Sequence, residues 1–247
     1  MKHLSHDVYR SRVGKKRFHS FRVRVRETDI LVHAKTDLRG EALESVLKCR
    51  GFIESYCRRF PGFAESLLPW EPPVPHHGVI SEMIRASKSA GVGPMATVAG
   101  AVAECVGRDL LHRSDEIIVE NGGDVFCQTR DPVTVGIYAG NSPLSLNIGV
   151  KVHSLTGPVS VCTSSGTVGH SLSLGKADAV CIRSGSCALA DAAATSLGNI
   201  VKGKPDIQTA IETGKKIEGV QGVLVIVGDA VGAWGDMELV PLNGKNP

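Results

Sequence analysis

The chain has 247 residues, 42% of them hydrophobic and only 4% aromatic, with a net charge of +3. That apolar fraction excludes a disordered chain, and the shortage of aromatics excludes a stacking platform for single-stranded nucleic acid. The charge is uneven. Residues 1–26 hold nine Lys/Arg against Asp7 alone, a net +8, so the rest of the chain carries −5. An asymmetry of this kind raises the question of an anionic partner.

Other exclusions follow. There is no run of 18 apolar residues, so no membrane span is expected. No apolar segment backs the N-terminal charges, so no secretory signal is expected. Seven cysteines, an odd number without a CxxC pair, fit a reducing cytoplasm better than a disulfide framework or a zinc finger. His76 and His77 lack a second ligand pair at metal spacing. No repeat of 20–50 residues is present, and residues 1–247 are read as one domain.

In chain order, residues 7–34 read as a basic hairpin. Val8–Val13 is a first strand, Gly14–Arg17 a turn, and Phe18–Ala34 a long second strand. In it Phe21, Val23 and Val25 face one way and Arg22, Arg24 and Arg26 the other. Such a stripe is more often a solvated sheet face than a docking site, and no nucleic-acid-binding motif accompanies it. Leu43, Val46, Leu47, Ile53, Tyr56 and Phe60 predict an amphipathic helix over 38–60, stopped by Pro61. Five prolines make 61–78 a surface connection. Helices are expected over 79–90 and 94–111, the second so rich in Gly and Ala that its backbone must lie close to a sheet or a ligand.

Strands then dominate: 117–120, 125–129, 133–138, 144–152, 159–163 and 179–183. An Ala-rich helix over 187–200 and an amphipathic helix over 205–217 follow, then strands over 222–227 and 237–242. Strands in runs with segregated helices indicate an α+β fold.

Three segments carry candidate chemistry. Asn121-Gly122-Gly123-Asp124 follows a buried strand, and paired glycines let backbone N–H groups approach phosphate oxygens. The alternative is a plain type I′ turn. Thr163, Ser164, Ser165, Gly166 and Thr167, followed by His170, form a hydroxyl-rich loop suited to phosphate binding, with a histidine for proton transfer. The alternative is a loop whose hydroxyls satisfy local backbone. In the third segment Ser186 is the expected N-cap, which puts Asp191 too deep to cap its own helix. Asp is a poor helix former, so its place among alanines calls for a reason. Asp191 and Thr195 share a face, and with phosphate oxygens they suit Mg²⁺, a hard ion. The alternative is a solvated Asp.

The order of these segments resembles the ApbE superfamily, whose best-known members are FAD:protein FMN transferases. A Gly/Ala-rich helix precedes Asn121-Gly122-Gly123-Asp124, then Thr163-Ser164-Ser165-Gly166 followed by His170, then Ala190-Asp191 and Thr195 on a helix. The likeness spans roughly residues 90–200. It is stronger still to a short branch from anaerobic bacteria and archaea, through Glu27-Thr28-Asp29, Gly93-Pro94-Met95-Ala96 and Ala188-Leu189-Ala190-Asp191-Ala192. The resemblance implies a T-fold-like α+β architecture, mostly antiparallel, with helices segregated to one side. It implies FAD or a related flavin nucleotide as cofactor and Mg²⁺ at Asp191 and Thr195. Asp191 and His170 would be the catalytic groups. Asn121, Gly122, Gly123, Asp124, Thr163, Ser164, Ser165, Gly166, Gly100 and Glu104 would contact the cofactor.

Departures qualify the activity. Transferases carry Lys-Gly-Tyr-Ala-x-Asp where this chain has Ala99-Gly100-Ala101-Val102-Ala103-Glu104, and the His-Ile-x-Asp-Pro pattern is absent after His170. FAD cleavage or FMN transfer is thus the first expectation. A non-catalytic flavin-binding protein, or an auxiliary of sulfur assimilation into homocysteine using Cys162 and Cys187, is the second. Expected partners are a flavin or nucleotide, a sulfur-metabolism protein under the second reading, and a further copy of the chain in a homo-oligomer. No nucleic acid or membrane is expected.

Overall fold

A computed structural model describes residues 17–74, 76, 78–154, 157–166 and 175–242. The alternation near the N-terminus builds its first edge. Phe21 and Val23 are buried while Arg22, Arg24 and Arg26 are exposed. The expected long strand over Phe18–Ala34 is, however, two strands, β1 (His19–Val25) and β2 (Thr28–Ala34), paired antiparallel about a two-residue turn. Arg26 makes the reversal with φ +52, a left-handed conformation that its sequence does not advertise. The expected strand Val8–Val13 lies outside the described residues.

The helix expected over 38–60 forms as α1 (Arg39–Arg59), but its buried face is Ala42, Val46, Cys49 and Ile53, and Leu43 and Leu47 of the expected apolar face are exposed because they point away from the sheet. The proline segment contains a short helix, α2 (Pro61–Glu65), whose Phe63 packs edge-on to Tyr56 and Trp70. α3 (Val79–Ala90) ends at Gly91, φ +70, a left-handed C-cap. A 3₁₀ turn (Pro94–Thr97) leads into α4 (Val98–Leu110).

The strands that follow are β3 (Ile117–Asn121), β4 (Asp124–Gln128), β5 (Val133–Gly136), β6 (Ile148–Val152), β7 (Val159–Ser164) and β8 (Ala179–Ser184). The expected strand over 144–152 begins only at Ile148, because 144–147 are turn backbone. α5 (Cys187–Ile200) and α6 (Ile207–Gly214) precede β9 (Val220–Val227), β10 (Ala230–Gly235) and β11 (Glu238–Pro241). β10 was not expected from its glycines. Gly232 is needed there because a Cβ would stand 2.4 Å from a methyl of Ile207 on α6.

Eight strands form one sheet in the order β1-β2-β3-β4-β7-β8-β9-β10, each neighbouring pair antiparallel. β11-β6-β5 form a second sheet. The helices cover one face of the large sheet, with Ile30, Val32, Val119, Phe126, Val180 and Ile182 beneath them. The small sheet covers the other face, over Ile118, Val125, Val161, Cys181 and Leu224. The α+β class with helices on one side is therefore observed. Among the described residues no single helix is long and apolar enough to cross a membrane.

Candidate functional site

The alternation of β3 and β4 decides which side chains of the Asn-Gly-Gly-Asp hairpin point at the helices. Val119 and Phe126 lie under the helices, so Asn121 and Asp124, two residues away, share that side. Asn121 pairs with Asp124 across a two-residue loop in which Gly122 has φ +66 and Gly123 φ +114. Both central residues are left-handed, which is why two glycines stand there. Gly122 is exposed at the tip.

β7 runs beside this hairpin. Asp124 faces Cys162 in register, and a Cβ on Gly123 would stand 3.5 Å from the Thr163 carbonyl oxygen. The hairpin and the hydroxyl loop, some forty positions apart in sequence, thus meet. Thr163, Ser164, Ser165 and Gly166 are partly buried. Gly166 donates its N–H to Ala177 O at 2.9 Å, and a Cβ on it would stand 2.3 Å from Gly175 O. Gly175 in turn presses on α5, with a Cβ position 1.8 Å from Gly198 O. Both ends of the loop therefore rest near Gly198, one turn beyond Thr195. Thr167 and His170 lie outside the described residues.

Ser186 caps α5 as expected, its Oγ accepting the Leu189 N–H. The oddly placed Asp191 has its reason across the helix interface. Its Oδ2 accepts the Gly100 N–H at 2.9 Å, and the Ala99 N–H also donates to it. Asp191 thus supplies the missing acceptor at the first turn of α4, whose own Thr97 provides none. Asn121 Nδ2 donates to Ala99 O at 3.0 Å, tying the hairpin to the same turn.

Two carboxylates consequently lie together at this junction. Burial pushes Asp191 up to about 7, against the pull of the two backbone N–H groups. Asp124 is held well above the usual carboxylate range, by burial first, then by the negative charges of Asp191 and Glu120. The Cys162 thiol and the Thr163 N–H donate to Asp124 and offset part of this. Among the described residues no Lys or Arg pairs with either carboxylate.

Gly100 and Glu104, expected beside a cofactor, are placed by the structure between two helices. A Cβ on Gly100 would stand 2.4 Å from Cys187 O and 2.9 Å from Asp191 Cβ. Glu104 is buried, with its Oε2 accepting the Cys187 N–H at 2.7 Å and its Oε1 held by Arg108. The contact between Cys162 and Cys187 has no signal in the sequence. Their sulfurs lie 3.5 Å apart with neither exposed, and burial raises both thiols. Among the described residues no three His, Cys, Asp or Glu side chains gather as a preformed metal cluster.

Comparison with known proteins bears on the family and the fold. The family model described as "AbpE bacteria" matches residues 10–239. A UPF0280 protein of Methanococcus aeolicus is 40% identical over 199 residues, covering 78% of this chain and 80% of that protein. Another, from Methanocaldococcus jannaschii, is 40% identical over 228 residues, covering 89% and 92%. Among solved structures, a variant of the flavin transferase ApbE from Vibrio cholerae superposes with a TM-score of 0.56 at 11% identity, over 89% of this chain and 97% of that one. The ApbE protein of Thermotoga maritima gives 0.56 at 12%, over 87% and 96%. At such identities the likeness shows the fold alone.

Proposed function

The chain belongs to the family described as "AbpE bacteria", and on that premise we propose that it is a Mg²⁺-dependent flavin-nucleotide protein that cleaves the pyrophosphate of FAD. Water or an acceptor hydroxyl forms the new bond to the FMN phosphorus as the bridging P–O bond breaks, and AMP leaves, so the products are AMP and FMN, free or joined to the acceptor. The observation that carries this reading is the pair Asp124 and Asp191, two neighbouring carboxylates that no described Lys or Arg pairs with, beside the glycine turn and the hydroxyl loop. An arrangement that is unfavourable when empty suits a bound cation.

The donor set fits Mg²⁺. It is all oxygen, from Asp191 and Thr195 with Asp124 nearby, and Mg²⁺ typically takes one or two carboxylates plus substrate phosphates instead of a full protein cage. The ion would neutralise charge on the pyrophosphate as it breaks.

The chain's own residues would do the rest. Gly122 and Gly123 would bring backbone close to one phosphate, and the hydroxyls of Thr163, Ser164 and Ser165 would turn to the other, with Gly166 anchoring their loop through its N–H to Ala177 O. His170 would move the proton. Gly100 and Glu104 would act behind this surface, setting where Asp191 stands.

The test is to incubate the protein with FAD and Mg²⁺ and to separate FMN and AMP by chromatography. Both products are expected, and they should vanish in Asp191→Asn. Absence of products together with no FAD-induced rise in Tm would overturn the reading. FAD binding without cleavage would favour the second reading, a flavin-binding protein. Ala99 and Ala101, standing where transferases carry Lys and Tyr, favour it, since a lysine contact to phosphate is lost. A sulfur role for Cys162 and Cys187 has less support. The nucleophile is the thiolate, and burial keeps both thiols protonated.

A further inference from the structure

We propose that Glu104 is a positioning residue for the site at Asp191, and that the two residues form a reciprocal clamp in which α4 and α5 each supply the carboxylate that caps the other's first turn. The proposal rests on the reading of Asp191 as the carboxylate that faces Mg²⁺.

The clamp has two rungs. In one, the Asp191 Oδ2 of α5 accepts the Gly100 N–H of α4 at 2.9 Å. In the other, the Glu104 Oε2 of α4 accepts the Cys187 N–H of α5 at 2.7 Å, and the Ser186 hydroxyl at 3.3 Å. Gly100 and Glu104 are four residues apart on α4, and Cys187 and Asp191 are four apart on α5. Each pair therefore spans about 6 Å, slightly more than one turn. Equal spacing on antiparallel partners lets both rungs close at once.

Each rung places a carboxylate at the positive end of the opposite helix and satisfies an N–H that the helix cannot satisfy itself. Gly100 makes the approach possible, because any Cβ there would strike Cys187 O at 2.4 Å. Arg108 fixes the far side of Glu104 with two bonds, from Nε at 2.9 Å and Nη2 at 2.6 Å to Oε1. Glu104 is thus committed to protein partners and is not a cofactor ligand.

The functional consequence lies in Asp191. The Gly100 and Ala99 N–H groups hold its carboxylate close enough to Asp124 for the two charges to interact. Glu104 holds the turn of α5 on which Asp191 stands. Loosening the Glu104 rung should therefore misplace Asp191 without touching it.

Amide hydrogen exchange measured by NMR on the full chain, with Mn²⁺ titration followed by EPR, tests this in wild type, Glu104→Ala, Glu104→Asp and Glu104→Gln. Glu104→Ala should speed exchange at Cys187 and also at Gly100, on the opposite rung, and weaken Mn²⁺ binding roughly tenfold or more. Glu104→Asp, one methylene short, should behave as Ala does. Glu104→Gln keeps an acceptor oxygen and should recover most of both signals. If Glu104→Ala fails to fold, the Asp and Gln pair decides. Faster exchange at Cys187 alone, with Gly100 and Mn²⁺ binding as in wild type, would overturn the proposal. Should wild type bind no Mn²⁺, the metal reading of Asp191 falls, and Gly100 exchange alone then supports or overturns the clamp.

Discussion

Two hairpin turns lie at the same end of the large sheet and use charge in opposite ways. The β1–β2 turn carries Arg26 and Glu27, and the β3–β4 turn carries Gly122 and Gly123 between Asn121 and Asp124. Their strands are neighbours, with Ile30 paired to Asn121. At the first turn every described charge has an opposite partner on α1 or the adjacent strand. Arg50 bridges Glu27 and Glu54, each at 2.8 Å, and Thr28 at 2.7 Å, while Arg26 reaches Glu54 at 3.4 Å. Arg22 pairs with Asp29. At the second turn two carboxylates are both raised by burial, Asp124 further by the charge of Asp191, and among the described residues no Lys or Arg pairs with either. The first arrangement is a solvated face that balances its own charge. The second is electrostatically unfinished, and buried like charges are what functional sites tend to accumulate. Of the basic N-terminal end, which first suggested an anionic partner, the described Arg17, Arg22 and Arg26 each pair with an acid. The acidic body is where a charge is wanting.

The sharpest way to break this comparison is at the helix crossing behind the second turn. Gly100→Ala should cost about 3 kcal/mol, because the added carbon meets backbone carbonyl and not a movable side chain. Gly122→Ala at the exposed tip has open space and should pay only the smaller cost of its positive φ. Urea midpoints of the two variants measure the difference. Equal losses would mean that the crossing is not held tightly.

The next effect is a pH slope. Asp191 has its folded pKa raised to about 7, so folding favours the protonated acid. Its stabilising contribution is complete below the unfolded value near 4 and is lost as pH rises through about 7. In EDTA, wild-type Tm should therefore fall between pH 5 and pH 8. Asp191→Asn keeps an oxygen for Gly100 and should flatten the slope, gaining on the order of 2 kcal/mol at pH 8 after allowance for partial exposure. Parallel profiles for the two proteins would remove Asp191 from this account.

Which parts of this were legible follows from where the information resides. The helices 39–59, 79–90 and 187–200 announce themselves because packing against a sheet imposes a 3.6-residue period on side chains. The 121–124 turn is written in its glycines, and the Ser186 cap in its hydroxyl. The β1–β2 turn is not legible, because Arg26 adopts a left-handed conformation with no turn residue to mark it. β10 is hidden because Gly232 answers to Ile207 on α6 and not to its own strand. Asp191 stood out as a misfit among alanines, yet its partner did not. Gly100 contributes a backbone N–H, which every residue but proline has, so no residue type signals it. The Cys187 N–H that holds Glu104 leaves no mark on the sequence for the same reason.

The solvated turn supplies the small end of the scale. Arg50→Ala should cost about 1 kcal/mol, since it strands the buried Thr28 hydroxyl and ends two ion pairs at once. Arg26 should matter less still. Its single pair at 3.4 Å is exposed and therefore weak, and its φ of +52 is a conformation that Asn tolerates better than a long side chain does. Losing the first and easing the second act in opposite directions, so Arg26→Asn should change stability by no more than about 0.5 kcal/mol. Its Tm should not depend on Mg²⁺ any differently from wild type. A larger loss, or an altered response to Mg²⁺, would mean that the two turns communicate through β2 and β3, and the division between a balanced face and an unfinished one would no longer hold.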